Sequence, residues 1–225
     1  MQMGSDTLKR LILIFSIIYL SLTYFIWLLP KDIIVELGVE DHYFPIVATI
    51  GCLLAGSLFF LKYAKTKNSF FLILAIAFFF GFGEKLSWGQ RLFDIPVPEA
   101  LQQANAQKEM TIHNLNIFYH SRFLRFTLIF NCATMIYCCF VPWLNRLYPR
   151  FSSFAKKIRM PIVPLTLSIL FFITILSLKF MQMNIHEQLV QTAYNVRKSN
   201  LTFLFAMLGL WFLISEKQGD GRCGK

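Results

Sequence analysis

The stretch FFLILAIAFFFGFG, residues 70–83, is followed directly by the polar run Glu84-Lys85-Leu86-Ser87-Trp88-Gly89-Gln90-Arg91. Its 14 apolar residues form about 21 Å of helix, which is shorter than the roughly 30 Å hydrocarbon core of a bilayer. The end of such a helix places ionisable side chains at membrane depth, where they usually face the protein interior and serve a function. We therefore expect a transmembrane helix that ends in a polar site.

The composition of the whole chain also indicates that lipid surrounds it. Of the 225 residues, 56% are hydrophobic and only 15% are charged, and the mean hydropathy is +0.55, which excludes a soluble domain of this size. Because lipid offers the backbone no hydrogen-bond partners, the spans must be helices. We predict an all-α, polytopic transmembrane bundle that forms a single domain over residues 1–225. It has about six spans, near residues 11–29, 43–61, 70–89, 126–144, 162–180 and 201–214.

The distribution of charge predicts the orientation of this bundle. With the N-terminus in the cytoplasm, the inner segments hold 13 of the 22 basic residues and three of the 12 acidic ones, so the net charge of +10 belongs to that face. Basic loops are retained in the cytoplasm, which favours an inner (plasma) membrane protein with both termini inside. The basic cluster from Arg146 to Arg159 is expected to lie against anionic phospholipid, and nucleic acid is not expected as a partner.

The long outer segment after Arg91 is patterned as short helices that lie at the membrane interface. Pro98-Glu99 resembles a helix start and predicts a polar helix over residues 100–110. Apolar residues from Ile112 recur at helical spacing, which predicts a second helix that continues into the fourth span and carries His113 and His120 on one face. The connection over residues 181–200 is also helix-like and carries His186-Glu187. All four histidines, His42 included, are thus expected on the outer side.

These outer segments supply residues for acid–base chemistry. A histidine titrates near neutral pH, and a carboxylate either orients it or acts as the base itself. We therefore take Glu84 or His113 as the general base, His186 as a second acid/base or a metal ligand, and Arg91 as a clamp for an anionic group. Glu84, Ser87 and Arg91 share one face if the third helix continues that far. The expected substrate-binding residues are Ser87, Gln90, Arg91, Glu109 and Asn114.

Less specific interpretations of the same residues stay open. Glu84 is equally suited to a simple ion pair with Lys85 or Arg91 at a wet interface. A bound metal also stays open, although the chain has no HExxH motif, and the sequence assigns no cofactor.

The run from Gly83 to Asn114 resembles a segment of uncharacterised bacterial multi-pass inner-membrane proteins. Their pattern is roughly GEExSWGQR…PE…NxQxE…HN, and here it corresponds to Gly83-Glu84-Lys85-Leu86-Ser87-Trp88-Gly89-Gln90-Arg91, Pro98-Glu99, Asn105, Gln107, Glu109 and His113-Asn114. This chain has Lys85 where the family has a second acid, which weakens any mechanism based on paired carboxylates. The resemblance implies a multi-pass membrane protein with a site in this segment, and it implies no activity.

Three functions are compatible with these features. The first is a protein whose polar pocket faces the extracytoplasmic side and acts on a membrane lipid or a lipid-linked headgroup. The second is a transporter or flippase component, in which Glu84 and the histidines carry protons or bind the substrate. The third is a non-catalytic subunit of a membrane assembly, a homo- or hetero-oligomer that uses the small residues Cys52 and Gly56 as a helix contact.

Overall fold

A computed structural model describes residues 4–39, 42–119, 126–184 and 187–215, and this part of the chain is helical without a β-strand. Its α-helices are numbered in chain order: α1 Ser5–Phe25, α2 Lys31–Gly38, α3 Tyr43–Thr66, α4 Ser69–Lys85, α5 Gln90–Phe93, α6 Glu99–Ala104, α7 Asn116–Tyr119, α8 Phe126–Thr134, α9 Val141–Leu147, α10 Pro149–Lys157, α11 Leu165–Asn184 and α12 Val190–Ile214. The all-α class predicted from the sequence is confirmed.

Three helical segments of the described chain are long and apolar enough to cross a membrane: Ser5–Leu28, Lys31–Thr66 and Phe126–Leu147. The last of these is continuous because a π-helical segment, Met135–Phe140, joins α8 to α9. Many large apolar side chains of the long helices are exposed, among them Phe15, Ile50 and Ile73. Such a surface is compatible with a membrane protein. Helices also occupy the other three predicted positions, and the six-span arrangement stays a prediction.

Helix α12 lies at the centre of the bundle. It contacts α3 most extensively and also contacts α11, α1 and α2, while α3 contacts α4 on its other side. We call the end of the bundle that holds Glu84 the site end and the opposite end, which holds Lys62, the basal end. At the basal end, Lys62 Nζ donates to the Ser215 carbonyl at 2.8 Å, beside the last residues of α12. At the site end, Asn195 Nδ2 donates to the Gly38 carbonyl at 2.7 Å and Asn200 Nδ2 to Thr23 Oγ1 at 3.0 Å.

Close helix contacts depend on small residues. A Cβ atom added at Gly51 of α3 would lie 2.6 Å from Thr202 Oγ1 of α12, so the two backbones approach closely there. A Cβ atom at Gly56 would lie 3.1 Å from the Phe79 ring of α4, and Cys52 is buried beside the same helix. The Cys52 and Gly56 pair is therefore used inside this chain, which removes the feature that favoured a contact with another subunit.

Helix α4, which corresponds to the third predicted span, begins and ends at residues other than those predicted. It begins at Ser69, where Asn68 Oδ1 accepts the Phe70 N–H, and it ends at Lys85 instead of continuing to residue 89. Ser87, Trp88 and Gly89 then have positive φ angles of 49°, 53° and 87°, which reverse the chain. The condition under which Glu84, Ser87 and Arg91 would share one helical face is therefore not met.

The predicted helix over residues 100–110 begins where Pro98-Glu99 indicated, but its predicted length is wrong, because α6 ends at Ala104. Asn105 Oδ1 accepts the N–H groups of Gln107 and Glu109, and Asn105 pairs with Leu115 in an isolated β-bridge. These bonds replace helical ones and produce a compact turn over residues 105–115. His113 lies in this turn, so it does not share a helical face with His120, which lies outside the described residues.

The predicted connection over residues 181–200 is much shorter in the structure. Helix α11 continues to Asn184, and α12 begins at Val190 after a short turn, Glu187–Leu189. Polar residues that we expected in a connection are therefore the first two to three turns of the central helix. As a result, the N-terminal part of α12 is buried against α2 and α3.

Candidate functional site

Glu84 lies in the last turn of α4, and its carboxylate binds the turn over residues 105–115. The side chain is 7% exposed. Oε2 accepts the backbone N–H of His113 at 2.9 Å and lies 2.7 Å from His113 Nδ1, and both oxygens lie 3.0 Å from the Ile112 nitrogen. Donors converging on one carboxylate stabilise its negative charge. Glu84 therefore fixes the position of His113 relative to α4.

Trp88 closes the other side of the same carboxylate. Its Nε1 donates to Glu84 Oε1 at 2.6 Å. The left-handed backbone of Trp88 and Gly89 turns the indole back onto α4, where a Cβ atom added at Gly83 would lie 2.8 Å from the ring. The glycine is required here because any side chain at residue 83 would occupy the place of the indole.

The turn that carries His113 has further side-chain support. Met110 N donates to Gln90 Oε1 at 2.8 Å, and Asn105 Nδ2 donates to the Thr111 carbonyl at 2.6 Å. Ser87 Oγ donates to Glu109 Oε2 at 3.2 Å. Polar groups that bind each other over several elements reduce the freedom of the turn, so that the imidazole is held in place before any ligand arrives.

His113 lines the cavity with a side chain that is much more exposed than that of Glu84. Its side chain is 41% exposed, whereas that of Glu84 is 7% exposed. Since Nδ1 is next to the carboxylate, Nε2 is the ring nitrogen directed away from it. A histidine held in this way by a carboxylate is oriented for proton transfer through Nε2.

A cavity of about 890 Å³ opens beside His113 at the site end. We call the lining residues from the end of α4, the turn over residues 105–115 and the start of α12 the polar wall, because most of them are polar. We call those from α3, α7 and α8 the apolar wall; most of them are apolar, although Thr49, Thr127 and Asn131 belong to the same set. The polar wall includes Glu84, Ser87, Glu109, His113, Asn114, Gln191, Asn195 and Arg197, and the apolar wall includes Ile46, Ile50, Phe118, Phe126 and Leu128.

Arg197 is a cavity residue that the sequence analysis missed. Its side chain is 6% exposed, and its Nε has no hydrogen-bond partner in the described part of the protein. The guanidinium carbon lies 5.7 Å from the centre of the Tyr194 ring. Thr192, Asn195, Ser199 and Thr202 follow one another at intervals of three or four residues, which indicates a helix with a polar face. Arg197 lies on the opposite side of this helix, so the spacing did not mark it.

The structure brings together some of the predicted site residues and not others. Glu84, Ser87, Glu109, His113 and Asn114 line the cavity. Gln90 is engaged with the backbone of Met110. His42 lies in a separate surface hollow with Asp32 and Glu36. His186 and the side chain of Arg91 lie outside the described part of the chain, so their predicted roles stay predictions.

Among the described residues, no group of three or more His, Cys, Asp or Glu side chains is arranged to hold a metal ion. Comparisons of the chain with family models, with curated proteins and with solved structures found no match. The function is therefore inferred from the geometry of the site.

Proposed function

We propose that this protein is an integral inner-membrane protein of about six spans, with both termini in the cytoplasm and the site end facing the extracytoplasmic side. Its cavity binds the headgroup of a membrane lipid or of a lipid-linked molecule, and His113 transfers a proton in a reaction of that headgroup. The observation that carries this proposal is the 2.7 Å contact between Glu84 and His113 at the edge of a cavity of about 890 Å³.

The two walls of the cavity support a lipid as the ligand. An amphiphile has a polar headgroup and apolar chains. The polar wall around His113 suits the headgroup, and the apolar wall around Phe126 suits the chains. A small-molecule site usually combines apolar lining with a few polar groups that fix orientation. The exposed apolar surfaces of the long helices would give a lipid direct access from the bilayer.

The hydrogen bonds favour His113 over Glu84 as the base. The Glu84 carboxylate is occupied by the indole of Trp88, by two backbone N–H groups and by the His113 ring, so it is a positioning residue. His113 Nε2 then accepts a proton from the attacking group, water or a hydroxyl, and returns it to the leaving group. Ser87 Oγ donates to the Glu109 carboxylate and not to His113, which does not favour Ser87 as the nucleophile of a serine–histidine pair.

The proposal is tested by comparing lipids from cells that produce the wild-type protein with lipids from cells that produce His113→Gln or Glu84→Gln. Mass spectrometry of the total lipids should show species formed or consumed with the wild type and not with His113→Gln. Glu84→Gln should retain part of the change, because an amide oxygen still accepts from the ring. Gln102→Ala, on exposed α6, is the matched control and should behave as the wild type.

Size-exclusion profiles of all four proteins must agree, so that loss of activity is separated from loss of folding. Identical lipid species with the wild type and with His113→Gln would contradict the proposed catalysis. An altered distribution of one lipid between the two leaflets, without new species, would instead favour the transporter or flippase alternative.

A further inference from the structure

We infer that the cavity contains a subsite for a phosphate group, with Arg197 as its principal residue, so that the headgroup recognised is a phosphate ester. This inference rests on the proposed function for the lipid nature of the ligand, and it adds the chemical class of the headgroup.

The first observation is the burial of the Arg197 guanidinium. Arg197 lies seven residues after Val190, about 10 Å along α12, and its side chain is 94% buried. Removing a charge from water is costly unless a partner of opposite charge or several hydrogen bonds compensate. In the described chain, Arg197 forms no ion pair and its Nε has no acceptor. A buried guanidinium in this condition is suited to an anion that arrives from outside the chain.

The second observation is the balance of charge in the described cavity lining. It contains three basic side chains, Lys85, Arg197 and Lys198, and two acidic ones, Glu84 and Glu109. The Glu84 carboxylate is bound by four donor groups, one from Trp88 and three from the 105–115 turn. Glu109 accepts from Ser87. By formal charge the described lining is therefore positive by one, and Arg197 is one of its basic members.

The geometry of the guanidinium favours phosphate over other anions. Its planar array of N–H donors matches two oxygens of a phosphate or a carboxylate, and Arg is common wherever phosphate is bound. A phosphate is also the anion that membrane lipids and lipid-linked intermediates carry next to their apolar chains. With the phosphate on Arg197, the rest of the headgroup would extend toward His113 across the same cavity.

The experiment uses the full-length protein, stripped of lipid, in dodecyl maltoside, which contains no phosphate. Native mass spectrometry measures binding of phosphatidic acid and of diacylglycerol with identical chains. The wild type should prefer phosphatidic acid by about tenfold or more, the expected effect of a charged hydrogen-bonded pair. Arg197→Gln should reduce this preference to about twofold or less, and Arg197→Lys should retain part of it, because an ammonium keeps the charge without the planar donor array.

The matched control is Arg150→Gln, which removes an exposed arginine from α10 and should keep the preference of the wild type. Millimolar inorganic phosphate is added in a further arm. If it displaces phosphatidic acid from the wild type, free phosphate shares the subsite, and if it does not, the subsite requires the lipid; either result agrees with a phosphate site. Equal binding of phosphatidic acid and diacylglycerol by the wild type would overturn the inference, even if Arg197→Gln failed to fold.

The binding of phosphatidic acid is independent of catalysis. His113→Gln should bind phosphatidic acid as the wild type does, because it leaves Arg197 unchanged. If lipid species change in cells but the purified protein shows no preference for phosphatidic acid, the proposed function stands and the phosphate subsite falls. If the preference is present and lost only with Arg197→Gln, the subsite stands even when no lipid reaction is found.

Discussion

The two ends of the bundle both bury polar side chains, but they use them differently. At the basal end, Lys62 Nζ binds the Ser215 carbonyl beyond α12, while Asn68 caps α4 and donates to the Arg159 carbonyl at 2.6 Å. At the site end, Glu84 binds a turn that is not helical, and Arg197 Nε lies beside a cavity and has no acceptor among the described residues. Polar groups at the basal end complete helix ends, whereas those at the site end hold a non-helical turn and include a buried guanidinium that lines the cavity.

The largest effect should come from removing the centre of the site end. Glu84→Ala deprives the Trp88 indole, the His113 ring and two backbone N–H groups of their acceptor. Buried donors without an acceptor are costly, so we expect the free energy of unfolding to fall by about 3 kcal/mol or more. Steric trapping or thermal denaturation in detergent measures this change. Glu99→Ala, an exposed acid on α6, is the control and should have no measurable effect.

A smaller loss should follow from displacing the indole alone. In Gly83→Ala the new methyl group meets the Trp88 ring at 2.8 Å, so the hydrogen bond from Trp88 to Glu84 is lost, and we expect about 2 kcal/mol of destabilisation. Thermal denaturation and tryptophan emission report the change.

Gly81→Ala gives a matched comparison on the same helix. Its Cβ atom would meet only Cys52 Sγ, at an ordinary 3.5 Å, and alanine favours a helix more than glycine does. This variant should be as stable as the wild type or more stable. Equal destabilisation by Gly83→Ala and Gly81→Ala would show that the hydrogen bond from Trp88 to Glu84 does not stabilise the site.

At the basal end, Lys62→Met should lower the free energy of unfolding by about 1 kcal/mol. The substitution keeps the apolar length of the side chain but removes the charged donor from the carbonyl beside the C-terminus of α12. Thermal denaturation measures the loss. Lys65→Met, one turn away and exposed, should leave the stability unchanged. Binding of phosphatidic acid should be the same in both variants, since neither residue lies at the site end.

The smallest effect on stability should come from Arg197→Met, although Arg197 is as deeply buried as Glu84. A guanidinium without a counter-ion contributes little to folding, so its replacement by an apolar side chain of similar length should leave the midpoint of thermal denaturation unchanged or raise it. A loss of stability as large as that of Glu84→Ala would mean that Arg197 stabilises the fold, as the basal-end residues do. That outcome would contradict a role for Arg197 in ligand binding alone.

Several errors of the sequence analysis have one physical origin. Pro98-Glu99 predicted a helix over residues 100–110, and apolar spacing predicted another from residue 112, but the Asn105 side chain satisfies the backbone of the following residues and ends the first helix at Ala104. Polar residues before Leu201 indicated a connection, yet they form buried turns of α12 because neighbouring helices supply partners such as Gly38 and Thr23. Local patterns do not show which side chains will find partners in other elements.

The sequence by itself determined the all-α class, the approximate positions of the long helices and the polar break at Glu84. These follow from local composition, because an apolar run in lipid must satisfy its own backbone as a helix and a carboxylate cannot remain among acyl chains. It also singled out Glu84 and His113 as candidate site residues, and the structure places them 2.7 Å apart, while their roles stay proposals. Only the tertiary structure decided that α12 is the central helix and that Arg197 is therefore buried beside the cavity. That outcome depends on contacts between residues far apart in the chain, and no local pattern contains them.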